Sequence, residues 1–180
     1  MNSPDILESP GLRLRRFAES DTALLFAQIT SDPLTMRFIP WPVHTSLEDT
    51  RSLVANYLAS QRAGEKFFYI AEAPAGVPVG LLTLYPKGQR ITLGLIVIAA
   101  HRRRGHGRAM IRLVFDWALA QREDWVIAAT CDAENHASAA TLAAAGFVRD
   151  GVLPGAGSSP NAGPGPRDLI AFSWRRPAPT

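Results

Sequence analysis

The most restrictive feature of this sequence is a set of three strand-like runs, Phe67 to Glu72, Val79 to Tyr85 and Ile91 to Ile98, followed by an arginine- and glycine-bearing loop and a long apolar helix. Turn residues at Pro74-Ala75-Gly76 and Pro86-Lys87-Gly88 separate the runs, which therefore read as an antiparallel meander. Ala109 to Arg122 reads as the helix, with Met110, Leu113, Val114, Trp117 and Ala118 on a wide apolar face. Ile111, Phe115 and Leu119 widen that face further, so the helix is expected to lie against the sheet with little free surface.

The flanks complete one domain over residues 1–180, with a core from about 12 to 175. Leu12 to Phe17 alternates apolar and polar residues, as a half-buried strand does. Glu19-Ser20-Asp21 offers caps for a helix to about Ile29, Asp32-Pro33 breaks it, and Phe38 to Pro42 forms a loop. Thr45 or Ser46 can cap a second helix carrying Leu53, Val54, Tyr57 and Leu58. Trp125 to Thr130 is a short strand, and Asn135 to Ala145 a helix with Asn135 at its N-cap and Gly146 placed for a left-handed cap. Phe147 to Val152 and Asp168 to Trp174 read as closing strands. Between them, Pro154 to Pro166 holds four glycines and four prolines, and is expected to be an irregular, flexible loop. The expected architecture is α/β (α+β): a mixed, mostly antiparallel twisted sheet of about seven strands flanked by about four helices.

Composition excludes several classes. With 47% apolar and 19% charged residues among 180, neither disorder nor a fibrous fold is favoured. One cysteine, Cys131, precludes an internal disulfide framework and fits a reducing compartment. No cationic stretch followed by an apolar run opens the chain, and no apolar segment nears the roughly 20 residues of a membrane helix. The expectation is a cytoplasmic protein with no membrane partner. The net charge of +3 is too small for a nucleic-acid binder, and neither a zinc-finger spacing nor a second basic cluster supports one.

The positive charge is concentrated in Arg102-Arg103-Arg104-Gly105-His106-Gly107-Arg108, between a strand and a helix. A helix N-terminus has unpaired N–H groups and partial positive charge, which together favour an anion. Glycines let the backbone approach a ligand and take φ values a side chain forbids. A triphosphate loop would need Gly-Lys-Ser/Thr, which is absent, and a dinucleotide loop would need glycine where Met110 stands. The competing reading is a solvated basic turn.

Arg102-x-x-Gly105-x-Gly107 resembles the acetyl-coenzyme A loop of the GCN5-related N-acetyltransferase (GNAT) superfamily. Asn135-x-x-Ser138, ending in Gly146-Phe147, resembles that family's second motif. Leu12 to Arg15, Asp32-Pro33, Arg37-Phe38, Trp41-Pro42 and Asp168 to Trp174 are similar to the branch (RimJ/RimL-type) that acetylates ribosomal-protein N-termini. The resemblance implies that backbone amides of Arg103 to Arg108 hold a pyrophosphate, with the loop arginines, Arg102 among them, and His106 adding charge. It implies a bulged strand at Leu95 to Ile98, whose backbone from Ile96 to Ile98 pairs with the pantetheine arm. An N–H near Val97 would polarise the thioester carbonyl. Asn135 would contact the cofactor or fix its helix, and Ser138 would protonate the departing thiolate. A homodimer is compatible with the resemblance.

The sequence departs from that pattern at three points. Leu142 stands where many relatives have a proton-donating tyrosine, Ala99 where a proline is usual, and Thr92 where the branch often has glutamate. Glu72, His44, Asp132 and Asp168 remain candidates for a base. Cys131 follows an apolar strand, which disfavours an acyl-cysteine intermediate. The expected function is acetyl transfer from acetyl-coenzyme A to a primary amine, by direct attack in a ternary complex. The alternative is a non-catalytic acyl-coenzyme A sensor.

Overall fold

The computed structural model describes residues 3–121 and 125–176. Its strands are β1 Ile6–Ser9, β2 Leu12–Arg16, β3 Phe67–Ala73, β4 Val77–Lys87, β5 Arg90–Val97, β6 Val126–Asp132, β7 Val148–Ser158 and β8 Pro166–Arg175. The helices are α1 Thr22–Leu25, α2 Pro33–Met36, α3 Leu47–Arg62, α4 His106–Gln121 and α5 His136–Ala144. Arg122, the expected end of α4, lies outside the described residues. The eight strands form one sheet in the order β1-β2-β3-β4-β5-β6-β8-β7, in which only β5 and β6 run parallel.

Strand alternation divides the apolar residues between the two faces of the sheet. Tyr69, Ala71, Leu82 and Leu84 join Met110, Ile111, Val114 and Trp117 of α4 in one core. Phe68, Ile70 and Leu81 point the other way and meet Leu25, Ile29, Met36 and Val54 from the α1–α3 side. The expected wide apolar face of α4 is therefore real, and it makes α4 the central helix of the larger core.

Three local expectations are corrected. β1 and α2 are additional elements; β1 pairs with β2 from Ile6↔Arg15 to Ser9↔Leu12, and Asp32 caps α2 through the N–H groups of Leu34 and Thr35. The helix after Asp21 changes to π-helical hydrogen bonding at Phe26–Thr30. The glycine- and proline-rich segment is more regular than its composition predicts, since β7 continues through Ser158. Register shifts between Arg149 and Gly151 and between Leu153 and Gly157 bulge the awkward residues out of the ladder. Pro154 has no N–H to lose, and the Gly155 N–H goes to the Asp168 carboxylate at 2.8 Å instead.

Candidate active site

The site begins where two strands part. β5 and β6 pair only at Arg90↔Val126, Ile91↔Ile127 and Thr92↔Ala128, yet β5 runs on to Val97 and β6 to Asp132. Beyond Thr92 the two diverge, because β6 stays in register with β8 through Asp132↔Leu169 while β5 stays on β4 through Gly80↔Val97. The Ile98 N–H bonds the Val79 carbonyl at 3.0 Å. By strand alternation Ile96 and Ile98 turn their backbone groups to β4, leaving those of Leu95 and Val97 facing the opening. Of the expected trio, only Val97 presents its amide to the opening. The expected bulge is also absent, since the β4–β5 register is unbroken from Lys87↔Arg90 to Gly80↔Val97. The shift in this region lies instead between β3 and β4, at Ala71/Glu72.

A cleft of about 730 Å³ occupies the opening, lined by the backbone-bearing segment Leu95 to Val97, the loop, and α5 residues including Ser138 and Thr141. α4 starts at His106, three residues before the expected position, so His106, Gly107 and Arg108 are its first turn. The helical ladder opens with the Ala109 N–H on the Gly105 carbonyl at 3.0 Å, which leaves the preceding amides directed out of the helix end. Gly105 has φ +82 with open space where a β-carbon would go. Arg103 also takes a left-handed conformation, φ 62, which is unusual for a side-chain-bearing residue and marks a constrained loop.

The other loop residues have more specific tasks than the motif suggests. Gly107 is helical; its absent β-carbon admits Thr141 Cγ2, which would stand 3.1 Å away, so this glycine brings α4 onto α5. Arg102 folds back, donating from Nε to the Val97 carbonyl at 3.3 Å and from Nη2 to the Leu34 carbonyl at 2.9 Å. It ties the loop to α2 more than it charges the cleft. The rings of His101 and His106 meet edge to face at 6.3 Å. Burial, then His101 and Arg104, push the His106 imidazole below its ordinary value.

On α5, Asn135 Oδ1 accepts the Ser138 N–H at 3.1 Å, so the asparagine fixes its helix. Gly146, at φ +93, ends the helix in a Schellman arrangement, with Phe147 N–H on the Leu142 carbonyl and Gly146 N–H on that of Ala143. Leu142 is buried in the α4 core and does not line the cleft. Ser138 does line it. Burial pushes the Cys131 thiol above its ordinary value, which keeps it protonated and a poor nucleophile.

All four candidate bases are already engaged. Glu72 accepts from Arg15 Nε at 2.7 Å, and His44 Nδ1 meets Thr50 Oγ1 at 2.8 Å. Asp168 receives the Gly155 amide. Asp132 is buried under a two-pronged Arg167 contact of 2.9 and 3.1 Å. Burial raises its carboxyl pKa, but Arg167, the Glu134 N–H and Ser159 outweigh that and hold it below the ordinary value. One participant gave no signal in the sequence. Asn161, on the β7–β8 connection, donates to the carbonyls of Met36 at 2.9 Å and Trp41 at 2.8 Å and accepts the Val43 N–H at 3.0 Å. It thereby stitches the glycine- and proline-rich hairpin to the loop after α2.

Comparison with known proteins agrees with this geometry. The family model described as an acetyltransferase (GNAT) domain matches residues 11–148. No curated protein sequence matches the chain. Among solved structures, the acetyltransferase from Salmonella typhimurium that modifies the N-terminal serine of ribosomal protein L7/L12 superposes with TM-score 0.82 at 18% identity, covering 96% of this chain and 99% of that one. The ribosomal-protein-S5-alanine acetyltransferase from Vibrio fischeri gives TM-score 0.79 at 16% identity, covering 96% and 97%. The microcin C7 self-immunity acetyltransferase MccE, solved with acetyl-CoA and AMP, gives TM-score 0.81 at 15% identity, covering 93% of each chain. At these identities the neighbours establish the fold, and the family model over residues 11–148 establishes the membership: this chain belongs to the GNAT acetyltransferase family.

Proposed function

We propose that the protein transfers the acetyl group of acetyl-coenzyme A to a primary amine by direct attack. The observation that carries this is the opening between β5 and β6, with free strand edge on one side and the bare first turn of α4 at its end. The amides of Arg103 to Arg108 would hold the pyrophosphate, with Arg103, Arg104 and Arg108 adding charge. The strand edge at Leu95 and Val97 would pair with the pantetheine arm, and the Val97 N–H would polarise the thioester carbonyl.

The amine nitrogen attacks the acetyl carbon, a C–N bond forms and the C–S bond breaks. Ser138 would supply the proton taken by the leaving thiolate and be reprotonated, directly or through water, by the proton that the attacking nitrogen loses. A chain-terminal amine near pKa 7.7–8.0 loses that proton at pH 7 for about 1 kcal/mol, whereas a lysine near 10.4 costs about 4.6 kcal/mol. The engagement of every candidate carboxylate therefore favours a low-pKa amine.

Acetyl-coenzyme A is expected to raise the melting temperature, and Arg103→Glu with Arg108→Glu to abolish the rise by placing negative charge at the pyrophosphate. No rise in the unaltered protein would sink the reading. The same engagement of the candidate bases favours a second reading, a coenzyme A sensor without chemistry. Thermal stabilisation with no thiol release across a broad amine panel would select it.

A further inference from the structure

Among the described residues, the cleft lining holds no aspartate or glutamate, while Arg37, Arg102, Arg103, Arg108, His101 and His106 all contribute to it. The loop arginines lead into α4 on one face of the sheet. Arg37 comes from the opposite face, beside Met36 and Ile39, which pack on the α1–α3 side. Its guanidinium lies 5.1 Å from the Phe38 ring centroid, and among the described residues no carboxylate pairs with it. The nearby acids are occupied elsewhere: Asp32 caps α2, and Asp132 and Glu134 both hold Arg167.

With the coenzyme's phosphates on the loop arginines, Arg37 is, among the described residues, the unpaired cation left to the acceptor, and a cationic amine meets its like charge there. A negative group beside the amine meets the planar fork of an arginine that has no other ion partner. Pairing that negative group with Arg37 offsets the rise it causes in the pKa of the neighbouring amine, and so keeps the neutral, attacking form accessible. We infer that the acceptor is an amine carrying a carboxylate or phosphate close to its amino group, gripped by Arg37, and that polycationic amines are rejected. This rests on the acetyl-transfer reading above.

The test measures thiol release at saturating acetyl-coenzyme A. One arm uses peptides with the same N-terminal residue followed by acidic or by basic residues. A second uses aspartate and phosphoserine, and a third spermidine and kanamycin. The acidic peptide or the small anionic amines are expected to exceed the basic peptide and the polycations in kcat/KM by about tenfold or more, with the margin shrinking as salt rises. Which anionic arm wins identifies a peptide or a small-molecule acceptor. Arg37→Glu is expected to cut the acidic-to-basic ratio by about tenfold with the acetyl-coenzyme A KM unchanged, and Arg37→Gln to fall between. Preference for spermidine, kanamycin or the basic peptide would overturn the inference, as would an unchanged ratio in Arg37→Gln. Thermal stabilisation by acetyl-coenzyme A without turnover of any anionic amine overturns it too. Absence of that stabilisation instead removes the acetyl-transfer reading itself.

Discussion

A β-carbon on Gly80 would stand 2.2 Å from the Ile96 carbonyl oxygen and 3.3 Å from Met110 Cε. Gly80↔Val97 is the last in-register pair of β4 and β5, beside the Ile98–Val79 hydrogen bond, so this contact helps set where the cleft edge lies. Gly80→Ala is therefore expected to cost about 2–3 kcal/mol in urea unfolding, because backbone rather than a yielding side chain occupies the space. Nothing in Val79-Gly80-Leu81 announces that need, since the obstructing atom comes from 16 residues downstream. Ser138 was legible through its spacing from Asn135, which the structure explains as a capped first turn. If Ser138 protonates the thiolate, Ser138→Ala should lower kcat by about a hundredfold. The KM for acetyl-coenzyme A should stay constant, and an unchanged kcat would remove the assignment.

Among elements, the meander, α4 and α5 could be read from periodicity and caps, because those signals lie within each segment. Three elements resisted: β1, the four-residue helix α2 and the far half of β7. β1 is short and largely exposed, stabilised by pairing with β2 and by Tyr69 Oη donating to the Pro4 carbonyl at 2.7 Å. β7 keeps its ladder past Pro154 because β8 supplies the partner and bulges absorb the misfit. The contact between this hairpin and the loop after α2 depends on one side chain, Asn161. Asn161→Ala should cost about 1–3 kcal/mol, since buried partners lose their bonds. It should also raise the acceptor KM more than the acetyl-coenzyme A KM. The loop it holds follows Arg37, Phe38 and Ile39 of the cleft lining, and equal effects on both would show that the stitch does not position them for the acceptor.

For the whole molecule, charge is arranged so that acid weakens the fold. Asp132 and Asp32 both have carboxyl pKa values below the ordinary range; in each, burial raises the pKa but hydrogen bonds outweigh it, chiefly from Arg167 and Thr35 respectively. A carboxyl pKa lowered in the folded state adds stability that is fully present above the unfolded value near 3.9. That stability is lost as pH falls through the folded value. Urea midpoints should hold from pH 8 to about 5 and drop below about pH 4, with a shallower drop in Asp132→Asn. An unchanged profile in that variant would show that the Asp132–Arg167 pair does not set acid stability.

What the sequence determined by itself was most of the content of the fold: the longer strands and helices, the faces that the meander and α4 bury, and where a helix N-terminus meets a cluster of positive charge. These are short-range properties, written in periodicity, caps and turn residues. Only the tertiary structure decided the divergence of β5 from β6, the folding back of Arg102 onto Leu34, the burial of Asp132 under Arg167 and the hold of Asn161 on the α2 loop. Each joins groups distant in sequence or depends on a strand's choice between two neighbours. Such choices are settled by packing the whole sheet at once, and no local pattern carries them.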